Sequence, residues 1–291
     1  MDVVRKTLFE SRSLEIGTVD VRPRSDQCGD VERQDRHAMV LPVAGIFARH
    51  DAPGRHVTGT ASHAVMVAAD TPYRISFPGA IGDRALILRF GNDVAPDRLD
   101  GCGSDERAAH GLLPANAMML RNLLFRRLAR TETDALEAEA LGLDLLDLSL
   151  GAMRAVGFPA LGAAKTRRLR ALERVKEAIA VAPSADWSVA KLASVANFSP
   201  FHLCHVFRET AGISIYRYVL RERLALALDA VLDGGDITAI ALDTGFASHS
   251  HFTAHFRKFF GTPPTALRRL ATRAQIDEMR KIVTARRQLP A

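Results

Sequence analysis

The sequence predicts a two-domain chain: a mainly β N-terminal part with a helix pair behind it, then an all-α C-terminal part holding two helix-turn-helix motifs. Three observations predict this. Residues 1–100 are short apolar runs separated by Gly, Pro and Asp, which reads as many short strands. From residue 114 apolar residues recur at helical spacing. Within the later helical region one two-helix pattern is written twice. The expected segments are 1–110 (β part), 111–156 (helix pair), 157–165 (linker), 166–273 (double helix-turn-helix) and 274–291 (helical tail).

The strand runs are Met39–Phe47, Ala64–Ala69, Tyr73–Phe77 and Arg84–Phe90, with turn signals at Asp51-Ala52-Pro53-Gly54, Asp70-Thr71-Pro72 and Phe77-Pro78-Gly79. In the helix pair, Met118, Met119, Leu123, Leu124 and Leu128 make one stripe and Leu141, Leu145, Leu146, Leu148 and Met153 another. Arg130–Asp134 separates them, with Thr133 or Asp134 as N-cap. The pair serves either to pack on the strands or as a dimerisation surface.

Composition narrows the class. The 291 residues are 47% hydrophobic and 25% charged, enough apolar surface for two cores and too much for a disordered chain. No run of eighteen apolar residues occurs, so no membrane partner is expected. Met1–Lys6 lacks the apolar stretch of a secretory signal. Cys28, Cys102 and Cys204 are odd in number, far apart and form no CxxC, which suits a reducing cytoplasm rather than disulfides or structural zinc. Charge is uneven: residues 165–291 hold 20 Lys+Arg against 11 Asp+Glu, while the rest of the chain has a net charge of −3. A basic half beside a slightly acidic one suggests that one domain meets a polyanion.

The repeat spans Ser188–Gly212 and Asp236–Gly261, in register at an offset of 48 before the turn and 49 after it. Each copy opens on a cap, Ser188 or Asp236, followed by an inward stripe: Val189, Leu192, Ala193 and Ala196, or Ile237, Ile240, Ala241 and Thr244. Asn197 and Gly245 tolerate the left-handed backbone of a tight turn. New caps at Ser199 and Ser248 start a second helix, whose inward residues are Leu203, Val206 and Phe207, or Phe252, His255 and Phe256. Gly212 and Gly261 close the copies. The run Ile213–Leu232 between them is a helix of some 18 residues, roughly 27 Å at 1.5 Å per residue. Adjacent major grooves on one face of DNA lie about 34 Å apart, so such a rod sets two recognition helices into neighbouring grooves.

These hairpins, the stretch Ile237-x-x-Ile240-Ala241-x-x-x-Gly245-Phe246, Phe252-x-x-x-Phe256-Arg257 and Gly261-x-Pro263-Pro264 make region 166–273 resemble the C-terminal DNA-binding domain of the AraC/XylS family of bacterial transcription regulators. Residues 1–155 are similar, more weakly, to the cupin-like sensor domains, barrel or jelly roll, often attached to that family. The resemblance implies double-stranded DNA as partner, a small-molecule effector at the N-terminal domain, and a second copy of the chain and RNA polymerase as further partners. It implies no enzyme activity and no cofactor.

The outward faces of the second helices name the DNA contacts: Phe201, Cys204, His205 and Arg208 in copy one, Ser250, Thr253, Ala254 and Arg257 in copy two, with Ser199, Ser248 and His249 at the helix starts. Phe201 and Ala254 offer apolar contact to a thymine methyl, and His205, Ser250 and Thr253 hydrogen-bond edges or phosphates. Arg208 and Arg257, later on their helices, hold phosphate, as do the cap amides. Many family members carry arginine where His205 and Ala254 stand, so relatives do not supply the operator. Five of ten histidines (His202, His205, His249, His251, His255) fall here. His205 and His249 are the groove candidates, His202 and His255 packing residues, and such a head predicts weaker binding as pH rises through the imidazole range.

The alternatives are a cupin-type metalloenzyme with an accessory DNA-binding domain and a constitutive DNA-binding protein. The N-terminal histidines (His37, His50, His56, His63, His110) form no His-x-His, and no GxSxG, phosphate loop or HExxH occurs. Tyr73, Arg74, His37, Arg49 and His63 are candidate liners of an effector pocket, none preferred.

Overall fold

The computed structural model describes residues 1–52, 55–91, 94, 110–130, 133–154 and 163–272. Among these residues eight strands come first: β1 (Asp2–Glu10), β2 (Leu14–Arg22), β3 (His37–Ala52), β4 (Arg55–Thr60), β5 (His63–Val67), β6 (Arg74–Ser76), β7 (Asp83–Phe90) and β8 (His110–Leu112). Their antiparallel order is β1-β2-β7-β3-β5-β8, with β4 and β6 also on β3. The long β3 does two jobs. Its first half pairs with β7 and β5, and beyond the register shift between Pro42 and Ala44 its second half pairs with β4 and β6. Two predicted strand runs lie within β3 and β7; Ala64–Ala69 runs two residues past the end of β5 and Tyr73–Phe77 overruns β6 by one residue at each end, while the sheet extends further, to Leu112, because β8 pairs His63 with Leu112.

Alternation along the strands sends side chains to two cores. Leu86, Leu88 and Phe90 of β7 join Met39 and Leu41 of β3 under the helix pair, while Ala85 joins Val19, Val21, Phe47, Val57 and Phe77 on the other side. The helix pair is α1 (Ala115–Ala129) and α2 (Ala135–Arg154), and the Asp134 carboxylate caps α2 by accepting from Glu137 N at 2.8 Å. Helix α1 is buried along most of its length, and Arg121, fully buried, donates to the carbonyls of Pro42 and Ala61. Packing within the chain, on the strands and on other helices, therefore accounts for α1. What the pair leaves open is the outer side of α2, where Leu136 is 78% exposed.

Among the described residues seven helices follow: α3 (Ala163–Val181), α4 (Val189–Ala196), α5 (Pro200–Ala211), α6 (Ile215–Leu232), α7 (Ile237–Asp243), α8 (His249–Phe260) and α9 (Pro264–Thr272). Helix α3 begins inside the stretch expected as linker. The rest of that linker (157–162), Cys102 and the tail 274–291 lie outside the described residues. One apolar core holds α3, α4, α5 and the start of α6. The end of α6 with α7, α8 and α9 shares a continuous core with the sheet and helix pair, in which Phe252 and Phe256 are fully buried, worth about 2 kcal/mol each. No described helix is long and apolar enough to cross a membrane.

Candidate nucleic-acid interface

The two hairpins are built from the same local interactions. Ser188 caps α4 by accepting from Lys191 N at 3.1 Å, and Asp236 caps α7 by accepting from Ala239 N at 2.7 Å. Both first helices end in paired backbone bonds: Asn197 N to Ser194 O (3.2 Å) with Phe198 N to Ala193 O (3.0 Å), and Gly245 N to Leu242 O (2.9 Å) with Phe246 N to Ala241 O (2.8 Å). The residue at each turn is left-handed, Asn197 at φ 56 and Gly245 at φ 81. The extra residue of the second turn is Ala247, between Phe246 and the next cap. Ser199 then accepts from His202 N and Ser248 from His251 N, both at 3.2 Å. Helices α5 and α8 close on left-handed Gly212 and Gly261.

Each turn also sets a phenylalanine edge-on against a histidine one turn into the second helix: Phe198 with His202 at 4.6 Å between centroids, Phe246 with His251 at 5.6 Å. His255 lies 4.6 Å from His251, and its pKa is lowered by burial first, then by His251 and Lys258. His202 and His255 are thus half-buried in the hairpins, while His251, though in contact with Phe246 and His255, is exposed together with His205 and His249.

Of the predicted contacts, Ser199, Phe201, Cys204, His205 and Arg208 on the first copy are all exposed, Phe201 at 85%. On the second, Ser248, His249, Ser250, Ala254 and Arg257 are exposed. Thr253 differs: it is half-buried, and its Oγ1 is shielded with no hydrogen-bond partner. Helix α8 packs on α1, a contact that sequence periodicity within one hairpin does not reveal.

Sequence reading missed the polar residues of α3 and α6. Both helices dock on the β part through them. Glu173 of α3 accepts from Thr58 N of β4 at 2.9 Å and from Lys176 Nζ at 2.7 Å, and Glu177 meets His56 Nε2 at 2.8 Å. On α6, Glu222 accepts from Thr60 Oγ1 at 3.0 Å and from Ser62 Oγ, and Arg221 donates to the Leu113 carbonyl. Further along, Asp229 accepts from Arg84 and from Arg126 (2.6 Å), which also meets Asp233 at 2.5 Å. Burial raises the Glu222 pKa, against the hydrogen bonds from Ser62, Thr60 and Tyr218 and the charge of Arg221. Burial holds His63 well below the usual histidine value, with Lys176 and His110 adding to it. The Thr60 hydroxyl donates to Glu222, so it accepts from His63 Nδ1 (2.7 Å) and fixes that nitrogen as the protonated one. The sequence signal was faint: Glu222, Asp229 and Asp233 at helical spacing, indistinguishable from a solvated face.

Of the five pocket candidates only Arg49 and Tyr73 meet, and the other three side chains lie apart from them. Arg49, fully buried, meets Asp51 at 2.6 Å, donates to Met66 O and stacks over Tyr73, whose hydroxyl donates to Glu32 at 3.4 Å. His63 belongs to the Glu222 cluster, His37 stacks on Phe90, and Arg74 is exposed. No group of three or more His, Cys, Asp or Glu suited to a metal ion occurs among the described residues.

Residues 192–270 match the family model described as a helix-turn-helix domain. A probable transcriptional regulator, LumQ, of Photobacterium leiognathi is 37% identical over 79 residues, covering 27% of this chain and 32% of that one. The likeness to LumQ is thus about a third of that protein's length. A probable transcription factor, PqrA, of Proteus vulgaris is 33% identical over 82 residues, 28% of this chain and 67% of PqrA. Among solved structures, ToxT from Vibrio cholerae O395 aligns over 91% of this chain and 100% of its own, with 11% identity and a TM-score of 0.37.

Proposed function

The chain belongs to the AraC type of helix-turn-helix transcription regulators, and from that premise we propose that α5 and α8 enter two adjacent major grooves on one face of the operator. It is a DNA-binding regulator. The observation that carries the groove assignment is the pair of hairpins with matched caps, turns and exposed rows, joined by the 18-residue α6. In this reading Phe201, Cys204 and His205 face bases from α5, and Ser250 and Ala254 from α8. Arg208 and Arg257, with His249 and the Ser199 and Ser248 caps, hold phosphates. Thr253, half-buried with its hydroxyl shielded, faces bases only once that hydroxyl is uncovered.

A small-molecule effector acting on the β part would reach the reading heads through α6, which carries both the hairpins and the Glu222–Asp229 docking face. The protein acts without catalysing a reaction, in the cytoplasm, with RNA polymerase and a second copy of the chain as further partners. Selection of bound fragments from genomic DNA, followed by titration at several salt concentrations, tests the reading. A selected site spanning two major grooves with affinity falling steeply with salt is expected. A footprint limited to one groove overturns it. Stabilisation on thermal-shift screening against metabolites tests the effector.

A further inference from the structure

The two reading heads have separate apolar cores. Leu192, Leu203, Phe207, Tyr218 and Val219 belong to one, Leu224, Leu228, Ile240, Phe252 and Phe256 to the other, and no residue is shared. Helix α6 crosses from one core to the other between Val219 and Leu224. At that crossing stands Arg223. Its guanidinium donates Nε to Pro183 O at 2.9 Å, Nη2 to Ala185 O at 2.9 Å and Nη1 to Gly245 O at 2.7 Å. Pro183 and Ala185 lie in the loop that delivers the chain to the Ser188 cap of the first hairpin. Trp187 stiffens that loop by donating Nε1 to Ala182 O at 2.8 Å. Gly245 is the turn of the second hairpin. One side chain therefore grips the entrance of one head and the turn of the other. The backbones meet there too: a Cβ on Gly245 would lie 2.9 Å from both the Cα and the carbonyl oxygen of Ser184.

We propose that Arg223 is a positioning residue that joins the two helix-turn-helix heads into one rigid reader and so fixes the spacing of operator half-sites the protein accepts. This rests on the two-groove reading above. A planar fork with fixed donor directions suits three carbonyls from two segments, and lysine, with one rotating ammonium, does not replace it. Without the fork, only α6 and the bare backbone contact of Gly245 with Ser184 join the heads directly, and bending at the crossing lets α8 follow a shifted groove.

The test compares the selected operator with versions carrying one base pair inserted or deleted between the half-sites, for the full-length wild type, R223K and R223M, alongside thermal melting. The wild type should lose at least about tenfold in affinity on insertion, the loss one misread base pair produces. The folded variants should lose less than about threefold while binding the original site more weakly. A wild type indifferent to spacing overturns the proposal. So do folded variants with the wild-type spacing penalty, and so does loss of the folded state in both variants, which would make Arg223 a general stability element. If the wild type selects no DNA, the groove reading fails on its own. The joint is then scored by spin labels on Cys204 and on S250C in a chain with Cys28 and Cys102 changed to Ser: R223M should broaden a narrow wild-type distance distribution, and an unchanged distribution overturns the proposal.

Discussion

Replacing Glu173 by Gln should cost about 3 kcal/mol, chiefly by leaving Lys176 without its charge partner where α3 meets the β part. Glu173 is 5% exposed, accepts from the Thr58 amide and pairs with Lys176, itself 5% exposed. Burial alone would raise its pKa. The charges of Lys176 and His110 and the hydrogen bonds from Lys176 and Thr58 outweigh it and bring the carboxyl from 4.5 down to about 2. About 2.5 pKa units at about 1.36 kcal/mol each give roughly 3 kcal/mol, within the range for breaking a buried pair and leaving the other charge alone. Glutamine keeps the acceptor for Thr58 and removes only the charge. The assay is urea unfolding followed by the fluorescence of Trp187, the chain's one tryptophan. The sign with pH follows from the lowered value: the contribution is complete above the unfolded pKa near 4.5 and is lost as pH falls from there towards 2. The gap between wild type and variant should therefore stay flat from pH 7 to 5.5 and narrow below pH 4.5. A loss under about 0.5 kcal/mol at pH 7, the scatter of surface substitutions, or a gap that widens with acid, would refute the reasoning.

Three further outcomes are expected. Phe201→Ala should change preference at particular bases and Arg208→Ala should weaken all sites alike, read by competition binding on a panel of operators; Thr253→Val, which removes a shielded hydroxyl without a partner, should leave preference and stability nearly unchanged. Gly245→Ala should destabilise by at least about 2 kcal/mol, since φ is +81 and the new Cβ would lie 2.9 Å from Ser184 backbone and Arg223; a melting point within a degree of wild type would contradict it. His63 stays neutral when folded because burial lowers its pKa below 6.5, so its contribution is present above about pH 6.5 and lost as pH falls below it. His50, also lowered, acts the same way, and His56, raised by Glu177 against burial, opposes. The melting temperature should fall from pH 7 to 5 less steeply in H63Q than in wild type, and equal slopes would remove His63 from the account.

The hairpins were legible because their determinants are local. Serine or aspartate caps, a left-handed Asn197 or Gly245, a stripe at helical spacing and a closing glycine are each decided within a few residues. The register even located the extra residue of the second turn. The strand β1 went unnamed because it is an edge strand whose residues are mostly exposed and carry little apolar signal; β2 went unnamed although Leu14, Ile16, Val19 and Val21 did carry one. Helical phase within one hairpin places Thr253 outward, and only the tertiary structure shows that it is half-buried with a shielded hydroxyl.

The order of elements, the duplicated reading unit and the outward rows of α5 and α8 were set by the sequence alone, since propensity, capping and periodicity act over distances shorter than one helix. Only the tertiary structure decided that the connecting rod α6 is also the docking helix. Glu222 meets Thr60 and Ser62 more than 150 positions away, Asp229 meets Arg84, and Arg223 grips Pro183 and Gly245. The pairing of a buried charge depends on which distant group satisfies it, and a carboxylate bound for such a partner has the same local signature as one bound for water.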